Sequence, residues 1–475
     1  MTQPTSSFDV PGTVQLVDTN GVLDVKHGTG QPNIVLVPQP SNDPNDPLAW
    51  TQKRKTFNIF WVMIWCFFIA AIVSGLSPAY LQIQADTGIS VANLSTGNGL
   101  MYLFLGWGTL ITQNFALVYG RRPSLVFSIV LTTFVTLWSA YTKSSAEFYI
   151  NRIILGVVSS PMEIIGTAGV KADTLDTETG VLSDRNLNET KKSQLDDAGV
   201  ATINSSIEMN EPQAYSSMTD KPFWSKLKLW GYRDFRKPSD FKRTLLPFHL
   251  LRFPTVLFAG LLVGGILSWY NVVGGSLALI LGNAPYNFGS NVIGLFYLAA
   301  VIGVSIGCAI SGWASDALSV IMARRHGGVM EPEHRLWLGI VALIAHPIGC
   351  ILYGVGASLG IHWVGIAFGL GIISVTLPLG TSLAFTYVLD SFKEVAGEGF
   401  VSVIMIRNTM GFAFSYAVVP MIENIGLRNA FILTAALGVA LWALCVVMIF
   451  IGKPLRRNAA SSYWKLVEKH GAKAH

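Results

Sequence analysis

The chain has 475 residues, of which 51% are hydrophobic and only 13% charged, with a mean hydropathy of +0.47 and a formal net charge of +5. That charged share is about half the usual value for soluble proteins and excludes a string of ordinary soluble domains. The small basic excess sits in short loops and tails, where it reads as a membrane-topology signal and excludes a nucleic-acid-binding patch.

Residues 1–50 lack the apolar core of a signal peptide and are rich in Pro, Asn, Asp, Ser and Gly. A disordered, cytoplasmic tail is expected over 1–56. Residues 57–79 then carry no charged side chain. About 20 helical residues cross the roughly 30 Å hydrocarbon core of a bilayer, so this run spans it. Further runs predict spans at 94–118, 124–142 and 147–170. A polar stretch follows, and then spans at 250–281, 291–314, 336–357, 361–389, 399–423 and 428–452. The expected fold is all-α, a polytopic membrane bundle of about ten helices. Four lie in an N-terminal half (57–170) and six in a C-terminal half (248–453). A cytoplasmic loop (171–247) separates the halves, and a cytoplasmic tail (454–475) ends the chain. Cys66, Cys308, Cys350 and Cys445 each fall inside an apolar run without ligand spacing, so no disulfide and no metal site is expected.

Orientation follows the cations of short loops. Lys53–Lys55 precede the first span and Arg121 and Arg122 follow the second. Arg324, Arg325 and Arg335 follow the sixth, Lys393 the eighth, and Lys453, Arg456 and Arg457 the last. Alternate loops hold little beyond Lys143 and Arg428, so both termini and the central loop are expected in the cytoplasm. Asn93-Leu94-Ser95 falls on the opposite side, where glycosylation is permitted. Asn188 and Asn204 sit in similar triplets on the cytoplasmic side, where they read as chance matches. Residues 171–211 are acidic and poor in aromatics, the composition of a disordered segment. Residues 223–230 (FWSKLKLW) set aromatics among lysines and read either as a segment lying on an anionic leaflet or as a solvated linker.

Several stretches share a pattern. Asn114–Pro123 (NFALVYGRRP) falls in the loop after the second span, Arg152 and Gly156 lie four apart in the fourth, and 312–325 (GWASDALSVIMARR) follows the sixth. With the split into two halves, these stretches resemble the major facilitator superfamily, whose halves are related helical bundles around a central cavity. Leu36–Trp50, Gly156–Glu163 and Asn283–Gly289 resemble the fungal drug:proton antiporter type within it. The resemblance implies cytoplasmic gating loops at Gly120, Arg121 and Arg122 and, in the second copy, at Asp316, Arg324 and Arg325. It also implies a role for Arg152 in proton coupling. The sequence departs from the family pattern twice. Leu117 stands where the loop signature has Asp. The stretch 171–247 offers no run that could serve as a fifth or sixth helix, so the chain resembles a member lacking that hairpin.

Ionisable groups within a bilayer are costly and tend to pair or line a wet cavity. Arg152 and Glu163 are eleven residues apart, about three turns, so they share a helix face without reaching each other. Arg152 reads as functional by resemblance, or as a packing or snorkelling residue. Glu163, after Pro161, either titrates during transport or snorkels. Arg407 and Asn408 lie well inside the ninth span, where binding or an interhelical contact is expected. Tyr270 and Asn271, beside Trp269, either bind substrate or mark the outer interface, where Trp and Tyr gather. Gln113 and Asn114 read as caps or interhelical hydrogen bonds rather than ligands, and His346 either carries protons or packs, with packing favoured beside Pro347. Gly303/Gly307 and Gly365/Gly369 place small residues four apart, which lets helix backbones approach closely.

The leading expectation is a secondary carrier that moves a small organic or drug-like solute by alternating access, coupled to protons by resemblance. Its partners would be that solute, protons and membrane lipid, with no cofactor. A different class remains, a membrane sensor or partner-binding protein that does not transport, motivated by the missing hairpin. An ATP-driven pump is disfavoured by the absence of G-x-x-x-x-G-K-[ST], and an enzyme by the absence of H-E-x-x-H and G-x-S-x-G.

Overall fold

The computed structural model describes residues 10–15, 27–28 and 31–35, scattered positions between 51 and 79, and the segments 79–163 and 244–471. Within the N-terminal segment expected to be disordered lie three short strands, β1 (Val14–Gln15), β2 (His27–Gly28) and β3 (Gln31–Val35). β2 and β3 pair with each other. The described positions between Lys53 and Phe68 are helical, but most of the first predicted span falls outside the described residues.

The N-terminal half continues with a short helix, α1 (Tyr80–Thr87), and then α2 (Val91–Tyr119), α3 (Arg121–Ser139) and α4 (Ser145–Ser159). Each start has a local cause. Ser90 caps α2 by accepting from the Asn93 amide at 3.2 Å. Ser144 caps α4 by accepting from Glu147, whose carboxylate reaches back to the Lys143 amide. Gly120 alone separates α2 from α3, with φ +100°, a conformation that favours glycine. The fourth span turns at Ser160 and is helical again through Glu163, where the described residues stop. Most of 171–247 lies outside them.

The C-terminal half opens with α5 (Leu246–Leu250) and α6 (Pro254–Gly282), whose proline occupies the first turn, where no amide partner is needed. α7 (Ser290–Ala309) passes through a π-helical turn into α8 (Ser315–Arg325). β4 (Val329–Met330) pairs antiparallel with β1, and α9 (Glu333–Leu336) follows. α10 (Gly339–Cys350) ends in a second π-helical turn and α11 (Gly356–Ser358). α12 (Trp363–Ser391) precedes α13 (Ala396–Gly471), which breaks at Gly426 (φ +78°) into the ninth and tenth predicted spans. Among the described residues, five helical runs are long and apolar enough to cross a membrane, all in this half, and the last contains two spans. The protein is a helical membrane bundle.

Two large apolar clusters fill the C-terminal half. One runs from Leu250 through Trp442 to Tyr463, and the other from Val272 through Tyr353 to Ala435. The Gly303/Gly307 pair does what its spacing implies. A Cβ on Gly303 would strike the Gly371 carbonyl and one on Gly307 the Val375 carbonyl, so α7 lies directly on α12. His346 is a packing residue: its ring fills the space opposite Gly438. Asn93, the permitted glycosylation site, donates to the Ser145 hydroxyl and so joins α2 to α4.

Candidate functional site

α2 is the element that joins the halves. Ser95, Tyr102, Gly106, Thr109 and Gln113 recur at helical spacing, and among them Ser95, Tyr102, Thr109 and Gln113 are buried. That face meets the ninth span. The Ser95 hydroxyl donates to the Ser415 carbonyl at 2.8 Å, and Trp107 Nε1 donates to Thr409 at 3.2 Å. Gly99 and Gly106 allow the approach, since a Cβ on them would lie 2.8 Å from the Ser415 Cβ and 2.6 Å from the Asn408 Cβ.

Glu163 of the N-terminal half and Arg407 of the C-terminal half form an ion pair across this boundary. Arg407 Nη2 also reaches Asn408 Oδ1 at 3.3 Å. Asn408 is fully buried and its Nδ2 has no acceptor, nor has Arg407 Nε. α6 supports the pair from behind: Gly264 lets the Arg407 backbone close to 3.3 Å from where a Cβ would stand.

Further along the same boundary is a cavity of about 30 Å³ lined from both halves, by Tyr80, Asn98 and Tyr102 on one side and Tyr270, Asn271 and Tyr297 on the other. Such a volume holds a water or two. Asn271 donates to the Gly411 carbonyl at 3.3 Å. Tyr270 and Asn271 therefore face the inter-half boundary near the middle of α6. The outer-interface reading of these two residues does not match that position.

Arg152 lies elsewhere. It is buried within the N-terminal half, with its guanidinium 4.9 Å from the Phe148 ring centroid and its Nε without an acceptor. It lines a separate cavity of about 500 Å³ with Leu76, Ile83, Thr136 and Ser139. Gly156, one turn on, rests on α2, where a Cβ would strike the Met101 carbonyl. Arg152 and Glu163 are thus not brought together, as their spacing required.

Among the described side chains, the loop residues form no single site. Arg121 and Arg122 start α3 directly after Gly120. Asp316 accepts from Arg335 Nη1 at 2.9 Å, and Arg335 Nε lies 3.1 Å from Asp390 Oδ2 without hydrogen-bond alignment. Arg324 and Arg325 end α8 and are exposed. Asn114 donates to Thr244, joining α2 to the segment before α5, as an interhelical bond should. No group of His, Cys, Asp and Glu that could hold a metal occurs among the described residues.

No family model matches the sequence. The chain is 24% identical to an uncharacterized MFS-type transporter of Schizosaccharomyces pombe, over 96% of this chain and 94% of that one. It is 26% identical to the MFS-type transporter penM of Penicillium rubens, over 94% and 93%. The structure superposes on the nucleoside transporter NupG with a TM-score of 0.49 and 10% identity, over 81% of this chain and 96% of that one. The alignment with the S. pombe protein extends over 547 positions although this chain has 475 residues, so that relative carries residues with no counterpart here. Near full-length likeness to MFS-type transporters, on a two-part helical membrane bundle, makes this chain a multi-pass membrane carrier, not an enzyme.

Proposed function

We propose that the chain is a secondary carrier for a small organic solute, working by alternating access with the boundary between α2, α6 and the ninth span as its substrate path. The basic loop ends face the cytoplasm in this reading. The observation that carries it is the Glu163–Arg407 ion pair, which joins the halves along the boundary that also holds a cavity lined by both. Tyr80, Tyr102, Tyr270 and Tyr297 offer apolar faces with hydroxyl tips, and Asn98 and Asn271 offer amides. This lining suits an amphipathic solute that stacks on rings and accepts or donates a few hydrogen bonds. The cavity must widen to admit one, which requires the halves to part. Loss of the Glu163 charge would release Arg407 and so favour that parting.

The chain is reconstituted into liposomes carrying a pH gradient, and flux of a fluorescent drug-like dye is recorded. Gradient-dependent flux that falls at least tenfold in Glu163→Gln supports the reading. Flux that ignores the gradient removes the proton coupling.

A second reading, a membrane protein that does not transport, is favoured by one observation: the alignment with the S. pombe relative is longer than this chain, as a lost hairpin between the halves requires. Replacing 164–243 with the corresponding segment of penM decides between the two. Flux that appears only in the chimera supports the second reading, and equal flux discards it.

A further inference from the structure

A ladder of two residues does not hold a segment by itself. Val14 and Gln15 pair with Met330 and Val329, yet three further contacts fix the residues just before them. Pro11 is buried, and its carbonyl accepts from Arg456 Nη1. Gly12 has φ +86°, and a Cβ there would lie 2.5 Å from the Asp390 carbonyl oxygen and 2.9 Å from the Ser391 Cα. Thr13 closes a turn by donating its amide to the Val10 carbonyl at 3.3 Å.

The receiving cleft is built around a buried charge. Arg456 is fully buried, and its Nε and Nη2 reach the two oxygens of Glu333 at 2.9 and 2.6 Å. Glu333 also accepts from the Tyr387 hydroxyl at 3.2 Å. That fork uses two of the five guanidinium N–H groups. The Pro11 carbonyl takes another on the remaining edge. A buried N–H without an acceptor is costly, so the cleft is complete only when a main-chain carbonyl occupies it.

We propose that Val10–Gln15 is an intramolecular strap and that the cleft formed by β4, Pro332, Asp390–Ser391 and Arg456 is its receptor. Docked, the strap ties together the loop between the sixth and seventh spans, the end of the eighth, and the helix that extends the tenth. Beside it lies the Asp316–Arg335–Asp390 charge network. Undocked, the segment frees that end of the C-terminal half to rearrange. Because the segment belongs to the same chain, its effective concentration at the cleft is high and release is reversible. The proposal goes beyond the carrier reading and holds whether or not the chain transports.

The test uses the full chain in detergent. A cysteine pair, Val14→Cys with Met330→Cys, is oxidised, and the linked peptide is quantified by mass spectrometry. The same pair is prepared with Gly12→Val, which changes only the strap and disfavours its positive φ. Cross-linking should fall at least fivefold with Gly12→Val, and amide exchange over 326–335 in the otherwise native chain should rise at least threefold, with the melting midpoint of the bundle unchanged. Equal cross-linking with and without Gly12→Val overturns the strap, as does amide exchange that Gly12→Val does not move.

Discussion

The two halves bury their apolar residues differently. The C-terminal half has two continuous clusters that draw on all six of its spans, and partners within the half surround most of its buried side chains. The described helices of the N-terminal half form two small clusters, one around Met101, Leu105 and Leu155 and one around Tyr80, Leu94 and Phe148. Outward faces do not separate the halves, since Phe127 and Phe134 in one and Phe368 and Phe450 in the other are all more than 60% exposed. α2 gains much of its burial from the ninth span, through Ser95, Gly99 and Gly106. The C-terminal half thus stands as a scaffold by itself, and the N-terminal half leans on it along the boundary where the candidate site lies.

The sharpest way to break this comparison is to remove the ion pair that crosses the boundary. Arg407→Gln removes the cation that faces the nearly buried Glu163, and breaking a buried pair costs about 3–5 kcal/mol. Unfolding in detergent micelles should show that loss. The double change with Glu163→Gln should recover most of it, because both charges are then gone. If Arg407→Gln is silent, the N-terminal half does not depend on the pair and the contrast between the halves weakens.

Two glycines sharpen the same contrast. Gly156→Val forces α4 off the Met101 carbonyl, and Gly303→Val forces α7 off Gly371. Overpacking of this kind costs about 1–3 kcal/mol. Gly303→Val should lower the main unfolding transition, since α7 and α12 belong to the scaffold. Gly156→Val should instead expose the N-terminal half to early proteolysis while the main transition holds. A single shifted transition for both variants would show the halves to be one cooperative unit. Gly106→Ala is expected to be milder at about 1–2 kcal/mol, because the Asn408 side chain that a Cβ would meet at 2.6 Å can give way more readily than backbone.

Much of the scaffold is legible from hydropathy alone. The run at 361–389 becomes Trp363–Ser391 and that at 250–281 becomes Pro254–Gly282, because apolar stretches of this length have one way to satisfy their backbone in lipid. Hydropathy misses helix that continues past the membrane. The sixth span runs on to Arg325 and the tenth to Gly471, and Tyr463 is buried there against Phe392 with its hydroxyl on Glu394. Burial and the Glu394 charge both push the Tyr463 hydroxyl pKa up, so it stays protonated as the donor of that bond. Glu163 and Arg407 can each be singled out in the sequence, yet their pairing joins positions 244 apart and no local pattern encodes it. Ser95, Asn98 and Tyr102 had a readable signal, a polar and small face recurring along an otherwise apolar helix. The β1–β4 ladder had none, since two residues give no period to detect.

The smallest effect tests the boundary at its finest grain. The Ser95 hydroxyl is buried and donates across it to the Ser415 carbonyl. Interhelical hydrogen bonds of this type in membranes average about 0.6 kcal/mol, because an unfolded helix in lipid also finds partners. Ser95→Ala should therefore cost about 0.6 kcal/mol, and the Ser415 carbonyl keeps its own helical bond. Thr434→Ala is the matched control, because that buried hydroxyl donates only within its helix, to the Ala430 carbonyl at 2.9 Å, and crosses no boundary. Its loss should be smaller still. Equal losses would mean that the Ser95 bond contributes nothing to joining the halves, and the close approach at Gly99 and Gly106 would then have to hold α2 to the ninth span by packing alone.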